Sequence, residues 1–174
     1  MPQPIADSPL PAYRRAMYPD AASFLAAERQ AWRPFEALDG LSDDQLSPPL
    51  ERAHGWSGRD LMAHFIFWHE RSVIIAGELA VAESSASKAR DDAEWDARGD
   101  AVNDEAQASW ASLPIAEVRG RFRTVFEALR VELAQVPASR WAASPDYTTW
   151  FVELTIDHYE RHAADLAAVL ASAA

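Results

Sequence analysis

Asp157-His158-Tyr159-Glu160-Arg161-His162 decides how the rest of this chain is read. Its two histidines are four apart, so on a helix they stand one above the other on a single face. Phe151, Leu154, Leu166 and Val169 share that spacing, which makes the same face an apolar seam. Imidazoles turned toward a core need polar partners there, and a metal ion can serve both at once. A surface histidine pair is the plain alternative.

Working outward, a second seam carries a third imidazole. Ser57 and Asp60 sit three apart ahead of an apolar run, a capping box with Asp in place of Glu. The stripe that follows is Leu61, His64, Phe65, Trp68, Ser72, Ile75 and Leu79. His64 therefore faces the same kind of surface as His158 and His162. His69 lies five residues further round and is expected to be exposed, and His54 is read as a loop histidine.

Two more helices follow from the same spacing rule. Asp20 is a plausible N-cap for a stripe of Phe24, Leu25, Ala31, Trp32, Phe35 and Leu38, with Pro34 set to kink it and Asp39-Gly40 to stop it. Pro114 fits the first turn of a helix striped by Ile115, Val118, Phe122, Val125, Leu129, Leu133 and Val136, ended by Pro137. Thr148 or Thr149 is expected to cap the last helix. Residues 40–56 read as a long connection, and 82–94 as a polar, mobile loop. Trp95, Val102, Ala106 and Trp110 point to a short helix within 91–110, weakened by Gly99.

No run alternates as a strand would. Four single-sided helices bury their stripes most simply in a four-helix bundle, so the fold class is all-α. The long crossover between the second and third helices, carrying its short helix, allows those two to run parallel. The domain reading is a proline-rich N-terminal arm over 1–18 and a bundle over 19–174.

Totals narrow the function. With 174 residues, 49% of them apolar, the chain suits one domain with a substantial core. A net charge of -11 repels phosphate backbones and anionic lipid, so neither nucleic acid nor a membrane is expected as partner. No apolar run approaches the ~20 residues of a spanning helix. Met1 to Pro11 holds four prolines and no signal-peptide pattern, and a cytoplasmic location is expected. Cysteine is absent, which excludes disulfides, a thiolate nucleophile and thiolate-ligated metal from this chain. A thiol, if used, must arrive as a cosubstrate.

His64, His158 and His162 together leave open coordination positions, the pattern of catalytic rather than structural zinc. Zinc or nickel leads the expectation, with iron, cobalt and manganese accepting similar ligands. Asp165, three residues after His162, is a candidate to hold that ring from behind, although Asp157, Arg161 and Asp165 also read as a solvated ion-pair stripe. Trp68, Trp95, Asn103 and Trp150 are candidates to line a pocket. Core packing is the plain account of most of the seven tryptophans.

A family resemblance joins these motifs. Trp56-Ser57-Gly58-Arg59-Asp60-Leu61-Met62-Ala63-His64 resembles the W-[ST]-x-x-D-x-x-x-H opening of the second helix in DinB-like (DinB/YfiT) proteins. Thr155 to His162 resembles their closing H-x-x-x-H helix. Trp95-Asp96 through Leu113-Pro114 is similar to the crossover of the maleylpyruvate-isomerase-like and colibactin-resistance-like (ClbS/DfsB) branches. The likeness spans roughly residues 20–170. It implies an up-down-down-up bundle, a divalent metal on three histidines at positions 64, 158 and 162, a homodimer, and in some members chemistry with a low-molecular-weight thiol such as mycothiol or bacillithiol. The extra C-terminal domain of maleylpyruvate isomerases is not expected here.

The leading functional expectation is a metal-dependent enzyme on a small-molecule substrate, a thiol-dependent transferase or isomerase. A metal-dependent hydrolase or a resistance protein of the ClbS/DfsB kind is the second. A non-enzymatic metal- or ligand-binding bundle is the third.

Overall fold

A computed structural model describes residues 18–143 and 145–174. The expected arm over 1–18 lies, apart from Tyr18, outside the described residues. Asp20 caps the first helix as expected, its carboxylate accepting from the Ser23 amide at 2.7 Å, and α1 runs Ala21–Trp32. Pro34 cannot donate an α-helical bond, and the chain tightens into a 3-10 segment, Arg33–Gly40. The connection that follows is more ordered than its composition suggests. It holds a short helix α2, Asp43–Leu46, capped reciprocally by Ser42 and Gln45, and a 3-10 turn, Glu51–Ala53.

Helix α3, Gly58–Val81, starts where the Ser57–Asp60 pair predicts, with both halves of the capping box formed. The region expected as a loop is instead α4, Ala86–Arg98, so the crossover carries a second helix besides α5, Ala101–Ala111. The reason is tertiary. Glu78 accepts from the Ser85 and Ser87 hydroxyls at 2.6 and 2.7 Å, and Arg71 reaches Asp91 and Glu94 at 2.8 and 2.9 Å. Gly99, at φ 52, breaks α4 from α5. Helix α6, Ile115–Gln135, begins one residue later than expected, with Pro114 as its N-cap.

The end of the chain is also subdivided. Helices α7, Ala138–Ala143, α8, Pro145–Leu154, and α9, Ile156–Ala173, replace one continuous last helix. Thr148 is no cap: it lies inside α8, buried, with its hydroxyl on the Trp141 carbonyl. The break falls at Thr155 (φ -123, ψ -92), whose hydroxyl donates to the Phe151 carbonyl.

Among the described residues there is no strand, and the fold is an all-helical bundle. Helices α3 and α6 form its most extensive contact. Arg59, in the first turn of α3, donates to the carbonyls of Trp110, Ala111 and Leu113 just ahead of α6. Arg140, just beyond α6, donates to the Leu79 and Ala80 carbonyls near the end of α3. Trp32 sits at the centre of one aromatic cluster with Phe35, Phe65, Phe122, Phe126 and Tyr159. A second cluster, around Phe24, Ile75, Leu133, Trp141 and Phe151, fills the other end. Stacked and edge-on rings of this kind contribute beyond the area they bury.

Candidate metal centre

The Ser57 cap sets the start of α3, and His64 follows two turns later. The Thr155 break sets the start of α9, and His158 and His162 follow on its first two turns. The two helices bring one ring nitrogen from each of these histidines within 4.8 Å of the others. His64 Nε2 and His158 Nε2 are 2.7 Å apart, and the three ring centroids are 4.7 to 4.9 Å apart pairwise. His64, His158 and His162, singled out by their spacing along the chain, thus lie side by side.

Each ring is fixed from outside the cluster. His162 Nδ1 donates to Asp165 Oδ2 at 2.7 Å, so in the neutral ring the lone pair is on Nε2. Asp165 is 4% exposed, so it does not belong to a solvated stripe. Arg161, four residues before it in sequence, is exposed and donates to the Glu153 carbonyl. Trp56 stacks on His162 at 5.5 Å and 17°, and its centroid is 4.7 Å from that of His64. Phe65 stands edge-on to His158 and His162. Trp56 is delivered by a tight turn in which His54 (φ 57) and Gly55 (φ 86) both take left-handed backbone. His54 itself is exposed, with Nε2 4.0 Å from Asp165 Oδ1.

Electrostatics keeps two rings neutral. Burial, then the charges of His162 and Arg161, holds His64 well below the ordinary imidazole value. Burial, then His64 and His162, does the same for His158. A neutral imidazole offers a lone pair, which is what a metal needs.

These donors fit a divalent cation. Two imidazole nitrogens at 2.7 Å repel unless a proton or a cation lies between them. Metal–nitrogen bonds of about 2.0–2.1 Å put tetrahedral ligands roughly 3.3 Å apart, so binding needs the pair to open by only a few tenths of an ångström. His158 Nδ1 is buried without a hydrogen-bond partner, so on that side the ring is held by packing.

The tryptophan candidates come together around Trp68, one turn beyond His64 on α3. Trp68, Val102 and Leu154 form a small cluster with Phe67, Trp95 and Trp150 packed against it. Trp68 Nε1 donates to Asn103 Oδ1 at 3.0 Å, and Trp150 Nε1 is buried without a partner. Lys88 Nζ lies 5.1 Å over the Trp150 ring.

One histidine expectation is overturned. His69 is fully buried, not exposed, with Nδ1 on the Phe65 carbonyl and Nε2 against the Tyr159 hydroxyl, both at 2.7 Å. Counting from His64 alone turned it outward. Trp32 on α1 and Phe126 on α6 cover that side. Trp56 and Tyr159 were missed as neighbours of the site, although their places beside the cap and between the two ligands were visible signals.

The mycothiol maleylpyruvate isomerase N-terminal domain family matches residues 25–167. The chain belongs to this family, within the DinB-like superfamily. No curated protein and no solved structure matches it significantly. The family and the three-histidine group together suggest metal binding.

Proposed function

We propose that His64, His158 and His162 hold a divalent metal, and that the protein is a metal-dependent small-molecule enzyme, a transferase or isomerase that uses a low-molecular-weight thiol. The observation carrying this reading is the convergence of three imidazole nitrogens within 4.8 Å from two separate helices. Bound there, a divalent metal supplies Lewis acidity that polarises and acidifies a ligand in its open position. The chain's own part is positioning. Asp165 holds the His162 tautomer, and Trp56 and Phe65 fix the ring planes. Burial keeps His64 and His158 unprotonated. Trp68, Trp95, Asn103 and Trp150 are assigned to the substrate side.

The absence of cysteine favours an incoming thiol over an internal one. A cytoplasmic location belongs to this reading, because small thiols stay reduced there. So do a homodimer, a bundle over 19–174 and an up-down-down-up course. The Arg59 and Arg140 contacts, which set the like ends of α3 and α6 side by side, support that course. Zinc and nickel are the first metals to test.

Elemental analysis of untagged protein should find close to one metal per chain, and His158→Ala should lose it. Unchanged metal in that variant would remove the site. Adding small thiols to cobalt-substituted protein should produce a sulfur-to-metal charge-transfer band. A site that takes metal but shows no band with any thiol points to the hydrolase or storage alternatives.

A further inference from the structure

Behind the metal centre lies a buried polar chain that the proposed chemistry does not use. It takes one side chain from each of four helices: Glu28 on α1, His69 on α3, Arg130 on α6 and Tyr159 on α9. Arg130 Nε donates to Glu28 Oε2 at 2.7 Å and Nη2 to Oε1 at 3.2 Å, with the two side chains 8% and 1% exposed. Arg130 Nη1 also reaches Glu127 at 2.6 Å. The Tyr159 hydroxyl is 3.0 Å from Glu28 Oε1 and 2.7 Å from His69 Nε2. His69 Nδ1 is 2.7 Å from the Phe65 carbonyl.

Proton counting exposes a shortfall. Three consecutive contacts, carbonyl to Nδ1, Nε2 to hydroxyl, and hydroxyl to carboxylate, each need one hydrogen. The carbonyl can only accept, so the Nδ1 hydrogen is committed. A neutral His69 and Tyr159 then supply two hydrogens for three contacts. Without a third, the single hydroxyl hydrogen must choose between two acceptors, and one pair of lone pairs is left face to face.

We propose that this chain binds one additional proton and that His69 carries it, as a buried imidazolium tied through Tyr159 to Glu28. Glu28 is a poor home for the proton, because a two-pronged guanidinium already pairs with its carboxylate. From α9 the facing group is Tyr159, from α6 Arg130 and Glu127, from α1 Glu28, and on α3 itself the Phe65 carbonyl. His64 and His158 stand on the metal side, both held neutral.

Burial is the opposing force: with Arg130 adding to it and the Phe65 carbonyl working against it, it pushes the imidazole down to about 3. The hydrogen required between His69 Nε2, Tyr159 and Glu28 outweighs it. The consequence for stability has a definite sign. A histidine whose folded value is raised above 6.5 adds stability that is present below 6.5 and lost as pH rises through the folded value. The four-helix tie is therefore a device that loosens on the alkaline side. The opposite assignment would instead lose stability as pH falls below 6.5.

Nitrogen-15 NMR of histidine-labelled full-length protein reads the ring directly. There are five histidines, and those at 54, 64, 158 and 162 can each be assigned by the signal lost on substitution to Gln, which leaves His69 untouched. At pH 7 both His69 nitrogens should carry hydrogen, with and without metal. A bare nitrogen on His69 at pH 7 overturns the proposal, whatever the metal content. In Glu28→Gln, whose amide can donate to the Tyr159 oxygen and supply the missing hydrogen, one His69 nitrogen should lose its hydrogen by pH 7. If that variant does not fold, the wild-type spectrum alone decides.

Discussion

Asp165 is the most informative single residue near the site. It accepts from His162 Nδ1 at 2.7 Å and is almost wholly buried, so its carboxylate has few other ways to be satisfied. Replacing it with Asn should weaken metal binding by roughly 10- to 100-fold while the helical content holds, because the amide can present a donor where an acceptor is needed. Competition with a metal-binding dye measures this, and affinity equal to wild type would mean that Asp165 does not orient the ring. Gly58 tests packing at the same scale. A Cβ there would lie 2.7 Å from Leu46 Cδ2 and 2.9 Å from Val169 Cγ1. Gly58→Ala should cost about 1–3 kcal/mol, because the branched valine has little room to turn. Gly120, with nothing within 4 Å of a new Cβ, is the control, and Gly120→Ala should gain up to ~1 kcal/mol. Thermal melts of the two variants should move in opposite directions.

At the scale of elements, α4 is the least self-sufficient. Its sequence has few apolar residues, and it is pinned by polar ties to α3. The hydroxyls of Ser85 and Ser87 and the Ser87 amide donate to Glu78 and lower that carboxyl from its ordinary 4.5. For an acid whose folded value is lowered, the stabilisation is present above 4.5 and lost as pH falls through the folded value. Protection factors of the α4 backbone amides, corrected for the intrinsic pH dependence of exchange, should therefore fall below about pH 4.5 before those of the α3–α6 pair. Glu78→Gln should produce faster exchange in α4 at neutral pH, at a cost of ~1 kcal/mol for the weakened bonds. Uniform exchange across α3, α4 and α6 would remove the claim that α4 opens separately.

For the molecule as a whole, the proposed metal binding and the fold are linked, because the three histidines come from two different helices. A metal that binds the folded bundle and not the open chain stabilises it, by about 2.7 kcal/mol at a free concentration 100 times its dissociation constant. Chelation should lower the melting temperature and metal return should restore it, and His64→Ala should melt at one temperature under both conditions. Among the described residues no helix is long and apolar enough to cross a membrane. Among the described residues the large apolar side chains left exposed are Ile74 and Val81 on α3 and Val131 on α6.

Local signals were legible in the chain. The Ser57–Asp60 cap, the Asp20 cap, the stripes of α1, α3 and α6, and the four-residue spacing of His158 and His162 all depend on neighbours within one or two turns. Such information survives without a partner helix, so the helical class and the three histidines could be named from residues alone. Tertiary contact decided the rest. Helix α4 exists because Arg71 and Glu78 reach across to it, and its own polar composition reads as a loop. His69 is buried because α1 and α6 close over it, which no count along α3 can reveal. Tyr159 joins Glu28 and His69 across 131 and 90 positions of sequence. Periodicity assigns each side chain a face of its own helix, but only packing determines what that face meets.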